Sequence, residues 1–173
     1  MRQLLLLRHA KSSWDDPALS DHARPLNARG KRAAALLAAT FRDLSLRPEL
    51  VLVSSARRTL QTLEALGPLG GAPRIEATDD LYLATWTSLL DAVRRVPTEV
   101  RSLLLVAHNP GLHDLATALA GPAAATGSRR LAEAYPTGAL AEFTVEEPWN
   151  RLEPGAARLA RFLVPGDLAE PAA

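Results

Sequence analysis

Three short runs of aliphatic residues, Leu4–Leu7, Leu50–Val53 and Leu103–Val106, set the tightest limit on what this chain can fold into. Each is too short for a buried helix and lacks the alternation of a half-exposed strand. Such runs read as strands covered on both faces, the pattern of a parallel sheet between two helical layers. The segments between them carry helical spacing. Asn27 is positioned as an N-cap for a helix with Ala33, Leu36, Leu37, Phe41 and Leu44 on one side. A second helix follows Ser54-Ser55 with Leu60, Leu63 and Leu66 inward and stops at Gly67-Pro68. A short strand is expected near Arg74–Glu76, a helix over Trp86–Val96 and another over Leu112–Leu119. Alternation of this kind implies right-handed βαβ crossovers.

After Gly121 the pattern changes. Residues 121–137 are rich in Ala, Gly and Pro and read as a long loop with at most a helical turn. Ala139–Val145 and Ala157–Val164 read as a hairpin added at the sheet edge. The expectation is one three-layer α/β/α domain over residues 1–165, with a mainly parallel sheet, an antiparallel C-terminal edge and a frayed tail over 166–173.

Composition removes several function classes. Twenty basic and 19 acidic residues give a net charge of +1, so no global field points to nucleic acid or a membrane, and any positive site must be built locally. With no cysteine, disulfides, thiolate chemistry and cysteine-held metals are excluded. The apolar run near the start stops at Arg8, too short for a signal-peptide core or a membrane span, and a cytoplasmic location is the default expectation.

Each apolar run ends in basic residues. The first delivers Arg8 and His9, the second leads to Arg57 and Arg58 in the first turn of a helix, and the third delivers His108. In a parallel sheet these carboxyl ends share one rim, where open α/β sheets bind ligands. Arginines at a helix N-terminus oppose the macrodipole, and an anion between them and the helix amides resolves the conflict. Phosphate suits such a pocket: guanidinium forks match its oxygens and a neutral imidazole can attack phosphorus in line. Neither paired carboxylates, a Ser-His-Asp arrangement nor a Walker glycine loop is supported by the spacing.

Four segments in order also resemble a known family. Arg8-His9-Ala10-Lys11-Ser12-Ser13-Trp14, Arg24-Pro25-Leu26-Asn27-Ala28-Arg29-Gly30, Ser54-Ser55-Ala56-Arg57-Arg58-Thr59-Leu60-Gln61-Thr62 and His108-Asn109-Pro110-Gly111 are similar to motifs of the histidine phosphatase superfamily. The likeness is to its small SixA-like phosphohistidine phosphatase branch, and Pro136-Thr137-Gly138-Ala139 extends it. The resemblance implies a phosphoglycerate mutase-like fold and a metal-independent, cofactor-free phosphatase. It implies His9 as nucleophile, Arg8 and Arg58 as clamps on the phosphoryl oxygens, His108 completing the pocket and Arg24 as a further phosphate contact. Arg57 is left as a surface residue. Two departures stand out. Ser55 replaces a common proline, and the carboxylate acid of larger relatives has no clear counterpart, Asp80 being the candidate by position.

A missing acid favours a leaving group that needs little protonation, so a phosphohistidine-bearing protein is the expected partner. A small-molecule phosphomonoesterase (acting on a nucleotide, sugar or cofactor phosphate), a mutase and a non-catalytic phosphoprotein-binding module remain the alternatives, and the oligomeric state is open. His22 and the His113-Asp114 pair lack metal-ligand spacing and read as solvated or helix-face groups. Trp14, Trp86 and Trp149 read as packing or rim residues, and Arg129-Arg130 as a solvated loop.

Overall fold

The computed structural model describes residues 1–122 and 126–168 of the chain. Six strands, β1 (Arg2–Arg8), β2 (Leu50–Ser54), β3 (Arg74–Thr78), β4 (Ser102–Ala107), β5 (Leu140–Val145) and β6 (Ala157–Leu163), form one sheet in the order β3-β2-β4-β1-β5-β6. The pairs β1–β4, β2–β4 and β2–β3 are parallel, while β5 runs antiparallel to both β1 and β6. The three aliphatic runs are the three adjacent central strands, which is why both of their faces are apolar.

Side-chain alternation sorts those runs between two cores. Leu5, Leu7, Val51, Val53, Leu104 and Val106 face α1 (Ala28–Asp43) and α2 (Arg57–Ala65), meeting Leu37, Phe41 and Leu63. Leu4, Leu6, Leu50, Leu52, Leu103 and Leu105 face α3 (Trp86–Arg94) and α4 (Gly111–Ala120), meeting Leu89, Val93, Leu112 and Leu115. Leu4 to Leu7 are all fully buried. Each such leucine contributes about 1.5–3 kcal/mol of apolar burial, so β1 and the residues at its end are firmly held. Asn27 caps α1 by accepting the Gly30 N–H at 2.8 Å.

Two local expectations change. Residues Thr126–Glu133 form a helix, α5, rather than a loop with a turn; Leu131 is fully buried in the α3–α4 core and Arg130 pairs with Asp167 at 3.0 Å. Burial of one leucine outweighs the low helical signal of the Ala/Gly/Pro-rich window around it. Arg130 is therefore a helix residue with an ionic partner, not part of a solvated loop. Past β6, Pro165–Asp167 forms a 3-10 turn, and residues 169–173 of the expected tail lie outside the described residues. Among the described residues no helix is long and apolar enough to cross a membrane.

Two glycines permit the backbone approaches around the carboxyl rim of the sheet. A Cβ on Gly30 would lie 2.1 Å from the Lys11 carbonyl oxygen, and one on Gly111 only 1.9 Å from the Ala84 carbonyl oxygen. Both obstacles are backbone, so neither can swing away. Gly111→Ala is expected to lower stability by about 1–3 kcal/mol and to displace His108, three residues upstream of it. Urea denaturation together with the His108 ring resonances checks this; an unchanged midpoint and spectrum would contradict it.

Candidate active site

Strand ends, a loop and the first turn of α2 bring Arg8, His9, Arg24, Arg58 and His108 to the lining of one cavity of about 260 Å³ at the carboxyl rim of the sheet. All five sequence-predicted residues thus meet, although they span a hundred positions of the chain. Arg57, next to Arg58, is exposed. The exposed Trp14 stands at the rim with the Arg24 guanidinium 3.4 Å from its ring centroid.

The backbone around His9 is fixed from several sides. Its N–H donates to the Ala107 carbonyl at 3.3 Å, and the Gly138 N–H lies between the Arg8 and His9 carbonyl oxygens at 3.1 and 3.0 Å. Thr62 Oγ1 accepts the Ala10 N–H at 2.9 Å, and Gln61 Oε1 accepts the Leu26 N–H at 2.8 Å. The Gln61-Thr62 pair of α2 therefore positions the loop that follows β1.

The side chain is set with equal definition. His9 Nδ1 lies 2.7 Å from the Ala10 carbonyl oxygen, which can only accept, so Nδ1 carries the proton and Nε2 the lone pair. Arg58 Nε donates toward that lone pair at 3.3 Å. The His108 ring centroid is 5.2 Å from that of His9, and His108 Nε2 is 2.7 Å from Ser54 Oγ. Among the described residues His108 Nδ1 and Arg8 Nε are buried without a hydrogen-bond partner. Buried polar atoms rarely stay unsatisfied, and a bound oxyanion is one way to satisfy them.

Asp21, which sequence reasoning did not single out, organises the arginines. Its carboxylate accepts from Arg58 Nη2 at 3.0 Å and from Arg24 Nε at 3.2 Å, and its carbonyl oxygen accepts Arg58 Nη1 at 2.8 Å. Tyr82 donates its hydroxyl to the same carboxylate, with its ring edge-on to His108 at 5.4 Å. The Tyr82 hydroxyl and the two guanidinium groups hold the Asp21 carboxyl down at about 2. Asp21 opens a 3-10 turn in the long segment after β1, and no local sequence pattern there announces this role. The structure places Asp80 elsewhere: it is exposed on a 3-10 turn, and it lines a separate cavity with Leu50 and Arg74 rather than the one around His9. His22 is half-buried on the Asp21 side, 2.9 Å from Ser55 Oγ, and His113 lies 2.6 Å from the Leu131 carbonyl oxygen.

Electrostatically the cavity keeps its imidazoles neutral. Burial, followed by the nearby Arg58, Arg8 and Arg24, pushes His9 down to about 4, against the opposing hydrogen bond to Ala10. Burial, followed by His9 and Arg58, pushes His108 down to about 3. Both rings bind protons more weakly in the folded chain than at the usual 6.5 of the unfolded one. Below pH 6.5 the unfolded state therefore takes up more protons, and stability falls as the pH drops toward 4 and then 3. Urea midpoints should decline across this window, less steeply in His9→Ala; a flat profile would contradict the assignment.

A neutral imidazole with an unprotonated Nε2, facing several guanidinium groups, can attack an electrophilic phosphorus once the Arg58 Nε–H turns to the phosphoryl oxygens, and have the developing charge stabilised. Residues 4–86 match the model of the histidine phosphatase superfamily, branch 1. An uncharacterized protein of Mycobacterium tuberculosis is 37% identical over 161 residues, covering 92% of this chain and 99% of that protein. A candidate phosphohistidine phosphatase SixA from Agrobacterium tumefaciens has a solved structure that is 31% identical, with a TM-score of 0.80 over 94% of this chain and 97% of that one. The structure of the protein histidine phosphatase SixA complexed with tungstate is 25% identical, with a TM-score of 0.77 over 95% and 98% of the two chains. With the fold shared over nearly the whole length and the motifs meeting at one cavity, the chain belongs to the histidine phosphatase superfamily, in its SixA-like branch.

Proposed function

We propose that the protein is a metal-independent phosphohistidine phosphatase that works through a covalent intermediate on His9. The observation that carries this reading is the His9 Nε2 lone pair at a cavity that Arg8, Arg24 and Arg58 also line. In the first step the substrate ring carries a solvent-derived proton on its other nitrogen, and the His9 lone pair forms a bond to phosphorus as the bond to the substrate's imidazole nitrogen breaks, so that neutral imidazole departs. In the second step water attacks phosphorus, the bond to His9 breaks, and orthophosphate leaves with the ring restored to its neutral form. Arg8, Arg24 and Arg58 hold the phosphoryl oxygens, and His108 Nδ1 meets one of them. The tungstate bound to the related phosphatase, an oxyanion, accords with such a cradle.

Asp21 supports the substrate class in this reading. The carboxylate beside the cavity is held ionised to about pH 2, so it supplies no proton to a leaving group near neutrality. An alkoxide leaving from a phosphate ester needs that proton, whereas a phosphorylated imidazole can take a proton from solvent on its other ring nitrogen and depart as neutral imidazole, whose conjugate acid has a pKa near 6.5. Phosphohistidine is therefore preferred over sugar or nucleotide monoesters.

The test is to incubate the protein with a histidine peptide phosphorylated by phosphoramidate, quench in alkali and map any acid-labile phosphate. Label on His9 and faster turnover of the peptide than of glucose 6-phosphate are expected. Label on another residue would overturn the nucleophile assignment, and faster turnover of the ester would overturn the substrate class.

A further inference from the structure

Next to the cavity that holds His9, a second depression of about 460 Å³ runs over the start of α1, and Lys11 and Thr137 line both. Arg29 and Arg32 form its basic side with Lys11; Leu36, Val164 and Pro165 contribute its apolar part. Arg29, Arg32 and Leu36 follow helical spacing, so one face of α1 presents two cations and then an apolar residue. Lys11, Arg29 and Arg32 are exposed, and none of them forms an ion pair among the described residues. The first turn of α1 has no acidic residue either, so among the described residues these cations stand against the helix dipole without an ion-pair partner.

We propose that this groove docks the acidic face of the phosphohistidine-bearing protein whose phosphoryl group enters the neighbouring cavity, an inference that rests on the phosphohistidine reading above. The occupant is a segment with carboxylates beside the phosphorylated histidine and an apolar side chain further along. A small polyanion is a poorer fit, because it is gripped by converging, buried donors, and these cations are exposed and strung along a helix face. Exposed charges of this kind act through encounter and complex lifetime, and so through KM more than kcat.

The test uses the intact protein with two helical peptides phosphorylated on histidine, one glutamate-flanked and one lysine-flanked, beside free phosphohistidine. The variant R29E/R32E leaves Lys11 and the cavity untouched and places acids where the helix dipole favours them. Wild type should prefer the glutamate peptide by about tenfold in kcat/KM, mostly through KM, and the variant should reverse that preference. Turnover of free phosphohistidine should be unchanged. Equal handling of the two peptides by wild type, or an equal loss on free phosphohistidine in the variant, overturns the groove. Binding of the unphosphorylated peptides, read by fluorescence anisotropy, separates the two proposals. If no phosphohistidine probe is turned over, the proposed function fails. The groove then stands if R29E/R32E weakens binding of the glutamate peptide and falls if it does not.

Discussion

His9→Ala is expected to lose turnover by about 10⁴-fold or more on any phosphorylated substrate while the fold is retained. The size follows from what is removed: without the Nε2 lone pair no covalent intermediate forms, and only the electrostatic pull of the arginines on a phosphoryl group remains. Because the ring is neutral and small, its loss leaves no buried charge unpaired. Melting should therefore change little at neutral pH, and acid tolerance should improve, since a buried ring that resists protonation to about pH 4 is gone. Single-turnover assays at matched concentrations check the first point and pH-dependent melts the second. Turnover within tenfold of wild type would remove His9 from the mechanism.

Arg58→Ala should lower kcat by about 10²–10³-fold, the loss expected when a preorganised donor to a developing oxyanion is deleted. Arg58 is only 3% exposed and touches both His9 and Asp21, so its removal acts twice. It takes a guanidinium from the phosphoryl oxygens, and it relieves a charge that lowers the proton affinity of His9. Arg58→Lys keeps the charge but not the fork that spans His9 and Asp21, so it should recover only part of the activity. The His9 ring resonances should titrate at higher pH in Arg58→Ala than in wild type and shift less in Arg58→Lys. A kcat unchanged by either substitution would place Arg58 in a purely structural role.

These residues were legible in the sequence because their positions are tied to strong local signals. Arg8, His9 and His108 stand at the ends of unbroken aliphatic strands, and Arg58 opens the helix after another, so topology alone gathers them on one rim. Arg24 was reached through its motif. Asp21 and Tyr82 were not legible: one opens a short 3-10 turn in the long segment after β1, the other follows a 3-10 turn after β3, and their meeting depends on how those two segments fold over the sheet. The same holds for α5, whose register is set by the burial of Leu131 against distant helices rather than by its own composition.

The position of Asp21 between Arg24 and Arg58 also has a bearing on which phosphate derivatives the cavity accepts. On the proposed reading, the Arg8, Arg24 and Arg58 guanidinium groups and the Lys11 ammonium, set against one carboxylate, leave a net positive charge around the phosphoryl group. A terminal phosphoryl group, with close to two negative charges at neutral pH, offsets most of it. A phosphodiester carries only one, so a link in a nucleic-acid backbone would leave a positive charge uncompensated in a largely buried space. On the proposed function, that charge balance favours chain-terminal phosphoryl groups over internal ones.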